Sequence, residues 1–452
     1  MVKIKKSKSK NLAWVVAVNM GYGHQRPAHS LHQLAYQNQV IVANSYPGIP
    51  QSDKRIWKTS RKFYEFVSRF THVPIVGPWV FSIFDRIQEI PSFYPRRDLS
   101  KPTIQIKQIY RFIKRNHWGK HLIEKLAKNP LPLVTTFFAI AFMAEEYNYP
   151  GEIYCVATDT DITRAWAPKN PHQTRIKYFA PNYRVVERLK EYGVPEKSIH
   201  LAGFPLPMEN IGGPTMNILR RDLANRLINL DPKNNYRNNY GALVTKKIKL
   251  KSLPKESNHP LTLTFAVGGA GAQREIGALI LASLRKKIKE KKIRLVLVAG
   301  IHNSVSTYFR QQVKKNGLAN QLDSGVVIVH ASSKEEYFDL FNEAMRVTDI
   351  LWTKPSELSF YCALGIPIVM SPPIGSQEVF NQRWLQTLGV AANQDRPEYT
   401  HEWLFDWIDS GWCAEAAMQG FIEAPKCGTC NIEKIIARKP QATKKIKMTL
   451  QY

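Results

Sequence analysis

Residues 12–24 read Leu-Ala-Trp-Val-Val-Ala-Val-Asn-Met-Gly-Tyr-Gly-His, and this stretch decides the fold class. Its first part, 12–19, is a continuous apolar run rich in Val, which is typical of a strand buried on both faces of a parallel sheet. A glycine turn follows, and residues 25–36 then carry apolar side chains at helical spacing. A second apolar run at 40–43 completes a strand–turn–helix–strand unit. The stretch therefore predicts a βαβ unit and an α/β domain.

The same alternation recurs further along the chain. Strands are predicted at 153–157 and 178–180, and a second strand–glycine loop–helix start is predicted at 261–289. We therefore predict an α/β fold with two Rossmann-like domains. The predicted divisions are a basic tail (1–11), an acceptor-side domain (12–207) with a basic-aromatic segment (54–125), a linker and basic insertion (208–260), a nucleotide-binding domain (261–412), C-terminal helices (413–436) and a basic tail (437–452). Residues 233–260 are polar, basic and rich in Asn, so we expect an exposed insertion or mobile loop there.

The composition is strongly basic, with a formal net charge of +28 from 64 Lys and Arg against 36 Asp and Glu. The excess is clustered, and residues 54–125 alone carry 16 basic and 5 acidic side chains. Hydrophobic residues make up 44% of the chain, which excludes global disorder. Basic patches on a nearly neutral body indicate an anionic partner.

The cysteines indicate the redox compartment. Five cysteines in 452 residues are an odd and sparse set, which predicts a reducing cytosol and no disulfide framework. The pair Cys427 and Cys430 forms a CxxC motif, for which we expect free thiols on a C-terminal helix. A zinc site completed by Cys413 and His401 is the less favoured alternative. No apolar run reaches about 18 residues, so we expect no transmembrane helix, and the N-terminus lacks the cleavage site of a signal peptide.

The first glycine loop contains Gly21 and Gly23 and ends at His24. Glycines let a backbone turn sharply beside a ligand, and the carboxyl edge of a parallel sheet is where open α/β folds bind ligands. His24 is a candidate base, because imidazole can accept a hydroxyl proton near neutral pH. A helix-capping role for His24 is the alternative. The loop is not GxGxxG and lacks the acidic residue of dinucleotide sites, so NAD binding is not expected.

Two C-terminal motifs also contain ligand-binding residue types. The loop Gly268-Gly269-Ala270-Gly271 offers backbone amides to a pyrophosphate, although a tight turn without a ligand is equally compatible. Thr353-Lys354-Pro355-Ser356-Glu357 follows a predicted strand, and Gln377, Glu378 and Asn381 follow the next. These amide and carboxylate side chains suit sugar hydroxyls; the alternative is an ordinary helix start. Walker A spacing is absent, which disfavours a P-loop nucleotidase.

In this order, these motifs resemble a family of GT-B fold glycosyltransferases. The branch holds the monogalactosyldiacylglycerol synthases, the processive diacylglycerol glucosyltransferases and the peptidoglycan lipid-intermediate transferase. The resemblance covers roughly residues 12–430, and the matching stretches are GYGH (21–24), VATDTDITRAW (156–166), FAPN to GFP (179–205), LRRDLANRLINLDP (219–232), VGGAG (267–271), TKP (353–355), ALGIPIV (363–369) and PIGSQE (373–378).

The resemblance implies two Rossmann-like domains facing a cleft, with the nucleotide-sugar donor held by the C-terminal domain and the acceptor by the N-terminal domain. The donor would be UDP-linked and would be a substrate, with no cofactor and no metal required. The implied donor-binding residues are Gly269, Gly271, Lys354, Glu357, Gln377, Glu378 and Asn381. The implied catalytic residue is His24, acting as a base or as a charge stabiliser, and Asp159 and Asp161 are the competing candidates for the base. In this family a Glu usually binds the ribose; by register Cys362 occupies that position, and Glu357 is the candidate substitute.

The basic-aromatic segment 54–125 predicts contact with an anionic membrane, because basic amphipathic helices with aromatic anchors bind at lipid interfaces. The predicted membrane-contacting side chains are Trp57, Phe63, Phe70, Trp79 and Phe84. Core-facing helices are the alternative reading. The segment carries no nucleic-acid-binding motif, so nucleic acid is not expected.

These observations together predict a glycosyltransferase that moves a sugar from a nucleotide sugar to a lipid or lipid-linked acceptor. It would act on the cytoplasmic, inner face of a membrane as a peripheral protein. Two alternatives remain. One is a catalytically impaired protein of the same fold that binds nucleotide and membrane, and the other is a sugar-nucleotide epimerase of that fold.

Overall fold

The computed structural model describes residues 10–59, 90–266, 273–373 and 376–437. By internal contacts, these residues divide into two units. Unit 1 holds the chain up to Pro205, the described part of 374–380, and the chain from Cys427; unit 2 holds the chain from Leu206 to Pro373 and from Asn381 to Lys426.

Unit 1 is built on a parallel sheet. Its strands are β1 (Ala13–Ala17), β2 (Ala35–Val42), β3 (Leu133–Thr135), β4 (Ile153–Val156), β5 (Ile176–Ala180) and β6 (Ile199–Leu201). Its helices are α1 (Tyr22–Ser30), α2 (Ile104–Asn116), α3 (Lys120–Ala127), α4 (Phe138–Glu146) and α5 (Tyr183–Glu191), with 3₁₀ turns at His32–Leu34, Arg164–Trp166, Pro171–Gln173 and Glu196–Ser198. The described strands pair in the order β2-β1-β3-β4-β5-β6.

Strand β1 lies inside this sheet and separates two cores. Val16 packs into the apolar cluster on one face, whereas Ala13, Val15 and Ala17 pack into the cluster on the other. A strand with helices on both faces must be apolar at every position, which explains the unbroken run in the sequence. The βαβ unit predicted from residues 12–43 is therefore present.

Unit 2 repeats the architecture. Its strands are β7 (Thr262–Ala266), β8 (Arg294–Gly300), β9 (Val326–His330), β10 (Ile350–Thr353), β11 (Ile368–Met370) and β12 (Ala391–Asn393). Its helices are α6 (Met208–Ile211), α7 (Asn217–Leu230), α8 (Asn235–Ile248), α9 (Arg274–Lys289), α10 (Asn303–Lys315), α11 (Lys334–Met345), α12 (Ser376–Thr387, whose first turn belongs to unit 1), α13 (Thr400–Asp409) and α14 (Trp412–Glu423), with 3₁₀ segments at Ala319–Gln321, Glu357–Leu364 and Pro397–Tyr399. The described strands pair in the order β12-β11-β10-β7-β8-β9, all in parallel. The predicted α/β fold with two Rossmann-like domains is confirmed.

The predicted linker and insertion at 208–260 is largely helical. Helix α7 buries Arg226, whose guanidinium donates to the carbonyl oxygens of Thr348 at 2.7 Å and Leu364 at 2.8 Å. Helix α8 lies where the sequence indicated an exposed loop, and its Val244 and Ile248 are fully buried. The expectation of a loop is wrong because those two apolar side chains, four residues apart, anchor an otherwise polar helix.

The last described helix, α15 (Gly428–Ile436), belongs to unit 1. Asn431 donates to the carbonyl oxygen of Ala202 at 2.8 Å, and Ile432 packs into a core of unit 1. Cys427 and Cys430 are joined by a disulfide, so the expectation of free thiols at this motif is wrong.

Candidate functional site

The candidate site of unit 1 lies at the carboxyl ends of three neighbouring strands. Strand β1 leads into the glycine loop, and its neighbour β3 leads into Thr136. Strand β4, the next in the sheet, leads into residues 157–166. Gly21 precedes α1 with a φ of 98°, a conformation that L side chains rarely adopt. The sheet therefore brings together three chain segments that are far apart in the sequence.

His24 lies in the first turn of α1 and is half-buried. Its Nδ1 is 2.8 Å from the carbonyl oxygen of Thr136, and its own carbonyl oxygen accepts a hydrogen bond from Thr136 Oγ1 at 2.6 Å. The imidazole also meets Phe137 edge-on, with ring centroids 5.0 Å apart, and lies 6.2 Å from the ring of Trp166. The predicted base is thus held in a fixed orientation by two residues that directly follow β3 and by the 157–166 segment.

Asp161 has a different environment. Its two carboxylate oxygens accept from Nε and Nη2 of Arg188, each at 2.9 Å, and the two side chains are 5% and 1% exposed. Although burial disfavours a charged guanidinium, the bonds to Asp161 raise the pKa of Arg188. A carboxylate held in this bidentate pair suits a structural role better than the predicted role of a catalytic base, because its two oxygens already accept from a buried cation. Asp159 is half-buried at the same edge and stays a candidate.

Arg164 supports the segment that carries Trp166. Its guanidinium is buried and donates to the carbonyl oxygens of Leu99, Ser100, Ala167 and Pro168 at 2.5–3.0 Å. Burial lowers the pKa of Arg164, and these carbonyl dipoles offset the loss of water around the cation. Sequence reasoning missed Arg164, Arg188 and Thr136, because no local pattern shows which distant groups a side chain will meet.

In unit 2, the predicted donor-binding residues cluster partly around the end of β10. Lys354 follows this strand and is half-buried, and Glu357 begins the 3₁₀ segment with 9% exposure. Asn381 is 1% exposed, and its amide donates to the carbonyl oxygen of Pro355 at 3.2 Å. Asn381 therefore supports this loop, and its contact with a donor sugar stays a prediction.

Cys362 does not present its thiol to a ligand. It is fully buried, and burial raises the pKa of its thiol. Helix α14 packs closely on it, since a Cβ added at Gly420 would lie 2.3 Å from the carbonyl oxygen of Cys362. The position that by register would bind a ribose thus faces the core of unit 2.

Several predicted residues lie outside the described part of the chain. These are Gly269 and Gly271 of the second glycine loop, and Phe63, Phe70, Trp79 and Phe84 of the basic-aromatic segment. Trp57 is described and is 4% exposed, with its ring 4.6 Å from that of Trp118. A buried ring cannot touch a bilayer, so the prediction of membrane contact is wrong for Trp57. Gln377 and Glu378 lie in the first turn of α12 and are half-buried.

The exposed face of α2 retains the basic-aromatic character of this segment. Helix α2 buries Ile106, Tyr110 and Ile113 in the core of unit 1. On its outer side, Ile104 is 73% exposed and Phe112 is 39% exposed. The exposed basic side chains of the helix are Lys107, Arg111, Lys114 and Arg115. We call this set of six residues the α2 face.

The described residues include neither a membrane-spanning helix nor a metal-binding cluster. None of the described helices is long and apolar enough to cross a membrane. Within the same ranges, no group of three or more His, Cys, Asp and Glu side chains is arranged to hold a metal ion.

Comparison with known proteins adds a likeness over most of the chain. The chain is similar to processive diacylglycerol β-glucosyltransferases. It is 22% identical to the protein of that name from Bacillus pumilus over 397 residues, which cover 85% of this chain and 83% of the relative. With the Bacillus subtilis protein it shares 21% identity over 394 residues, again covering 85% and 83%. The predicted resemblance is thereby supported.

Two further comparisons are less informative. Residues 244–389, less than half of the chain, match a family described as "Domain of unknown function (DUF6938)". Among solved structures, a UDP-GlcNAc 2-epimerase from Neisseria meningitidis bound to UDP-GlcNAc has a TM-score of 0.46 at 12% identity, covering 94% of this chain and 98% of that chain. The Acinetobacter baumannii MurG has a TM-score of 0.42 at 12% identity, covering 94% and 98%. TM-scores at this level support no functional inference.

Proposed function

We propose that this chain is a glycosyltransferase that transfers a hexosyl group from a UDP-linked sugar to the hydroxyl of a lipid or lipid-linked acceptor. The observation that carries the proposal is the orientation of His24 at the ligand-binding edge of unit 1. A carbonyl oxygen can only accept, so the bond to Thr136 assigns the hydrogen of a neutral His24 to Nδ1 and leaves Nε2 as the proton acceptor. The likeness to lipid glucosyltransferases supports the reaction class.

The chemistry assigns a role to each partner. His24 Nε2 takes the proton of the acceptor hydroxyl while the hydroxyl oxygen bonds to the anomeric carbon of the sugar. The bond from that carbon to the diphosphate oxygen breaks, and UDP leaves with the electron pair. On the donor side, we propose that Gly269 and Gly271 approach the diphosphate. The other proposed donor contacts are Lys354, Glu357, Gln377 and Glu378, with Glu357 as the ribose ligand.

A transfer assay tests the proposal. The protein is incubated with vesicles containing diacylglycerol and, separately, with UDP-glucose, UDP-galactose, UDP-N-acetylglucosamine and GDP-mannose. Mass spectrometry should detect a glycolipid with at least one UDP-sugar. UDP binding without formation of a glycolipid would contradict the proposed transferase activity and favour the catalytically impaired binding protein. Isomerisation of the nucleotide sugar in the absence of acceptor would indicate the epimerase. Neither binding nor turnover with any donor would reject all three.

The proposal includes the membrane. The α2 face combines two exposed apolar side chains with four basic ones, which suits insertion at an anionic lipid surface. We propose that this face contacts the cytoplasmic leaflet, with the protein bound peripherally. Basic residues near such a surface contribute about 1 kcal/mol each, so reversing two charges should weaken binding at least tenfold, to a first approximation.

A vesicle sedimentation experiment tests this contact. The pair Lys107→Glu and Arg111→Glu should reduce binding to phosphatidylglycerol vesicles, and added salt should weaken binding of the unmodified protein. The matched control is Lys246→Glu with Lys247→Glu on α8, an equal change of net charge on exposed lysines of unit 2. Equal losses of vesicle binding in the two double variants would show a general charge effect and would contradict the proposed membrane contact of the α2 face.

A further inference from the structure

Thr136 is a residue to which the sequence assigned no role. It follows β3 directly, at the join to α4, and its side chain is fully buried. The adjacent Thr135 Oγ1 bonds within its own turn, accepting from the amide of Phe137 at 3.1 Å. Thr136 differs from this local pattern, because its hydroxyl reaches a residue 112 positions earlier in the chain.

Thr136 and His24 exchange two hydrogen bonds. The imidazole Nδ1 donates to the main-chain carbonyl of Thr136 at 2.8 Å, and Thr136 Oγ1 donates to the main-chain carbonyl of His24 at 2.6 Å. The two bonds run in opposite directions between the same residues, so they fix both the distance and the rotation of α1 against the end of β3. A single bond would leave the ring freer to turn.

We propose that Thr136 is a positioning residue that holds His24 in the Nδ1–H tautomer and directs Nε2 at the acceptor hydroxyl. The main-chain carbonyl selects the tautomer, because the other tautomer would place a lone pair on Nδ1 against the carbonyl lone pairs. The hydroxyl keeps that carbonyl in reach by tying the backbone of His24 to the same residue. The catalytic part of this inference rests on the proposed function, whereas the tautomer does not.

The principal experiment is nitrogen-15 NMR of the His24 ring, which distinguishes Nδ1–H from Nε2–H in the protein without substrate. The unmodified protein should show the Nδ1–H pattern. Thr136→Val keeps the size of the side chain but removes the hydroxyl, and it should populate the second tautomer or broaden the signals. Thr136→Ser keeps the hydroxyl and should restore the original pattern. Signals identical in Thr136→Val and the unmodified protein would overturn the inference.

Kinetics provide the second readout. Losing one hydrogen bond of this kind should lower kcat of Thr136→Val about fivefold. KM should stay within about twofold, since the base acts on the reacting hydroxyl and adds little ground-state binding. Equal falls in kcat for Thr136→Val and the control below would mean a structural role only.

The control is Thr264→Val in unit 2, where a fully buried threonine hydroxyl bonds to Thr348 Oγ1 at 2.7 Å. It matches the loss of one buried hydroxyl without touching His24. If Thr136→Val does not fold, Thr136→Ser still tests the tautomer, because a wrong pattern in that variant contradicts the inference. A protein that transfers no sugar but shows the predicted ring signals would reject the proposed function and keep the positioning role.

Discussion

His24 and Asp161 lie at the same sheet edge and were both predicted as the base, yet their surroundings differ. Both oxygens of the Asp161 carboxylate accept hydrogen bonds from the guanidinium of Arg188. In His24, Nδ1 donates to the main-chain carbonyl of Thr136. In the tautomer that this bond selects, Nε2 can accept a proton. The side chain of Asp161 is 5% exposed, whereas His24 is only half-buried.

The difference teaches that a position at a strand end does not make a catalytic group. Both residues meet the rule that ligands bind beyond the carboxyl ends of parallel strands. What distinguishes them is the hydrogen-bond partner of each side chain, which determines whether the group can exchange a proton with a substrate. A buried ion pair resists proton transfer, because neutralising one member strands the charge of the other in a low dielectric.

The largest effect should come from replacing His24. With a general base worth roughly 10²–10⁴ in rate, His24→Ala should lower kcat of glycosyl transfer by about a thousandfold. Donor binding by calorimetry should be little changed, since the contacts proposed for UDP come from unit 2 and α12. The matched control is His29→Ala, which removes a half-buried imidazole from the same helix. Comparable losses of kcat in His24→Ala and His29→Ala would show that the effect is not specific to His24, and would contradict its role as the base.

Asp161→Asn should act on stability instead. The change leaves the buried guanidinium of Arg188 without its main carboxylate, so the free energy of unfolding should fall by about 3–5 kcal/mol. Urea unfolding measures this fall, and the double variant with Arg188→Met should lose less than the two single variants summed. Transfer activity per folded molecule should persist. A folded Asp161→Asn protein without activity would restore Asp161 as the base.

The parts of this site differ in how far they could be predicted. The strand and glycine loop before His24 were predictable, because a buried strand needs apolar residues at every position and the turn needs glycine. The contact with Thr136 was not, since it depends on β3 entering the sheet next to β1. Pairing of Asp161 with Arg188 likewise depends on β4 and β5 being neighbours. Helix α8 was missed because its buried face consists of Val244 and Ile248 amid Asn and Lys residues.

Lys426 of unit 2 gives the smallest expected effect, and it tests burial of a charge that is not held in a bidentate carboxylate pair. Lys426 is 5% exposed, and its ammonium donates to the carbonyl oxygens of Ala424 and Ile422. Burial lowers the pKa of Lys426 to about 8. Because the unfolded chain binds this proton up to a pKa of about 10.4, folding should gain stability as pH rises from about 8 to 10.4 and should carry the full penalty below pH 8. Lys426→Met should therefore be more stable than the unmodified protein near pH 7, by up to about 3 kcal/mol, with the advantage gone above about pH 10.4.

Denaturant unfolding at several pH values measures this difference in stability, with Lys314→Met, a change of an exposed lysine, as the control. A gain in stability that is independent of pH would mean that the methionine acts through packing. The cost of burying a cation without a bidentate carboxylate partner would then not be shown by Lys426.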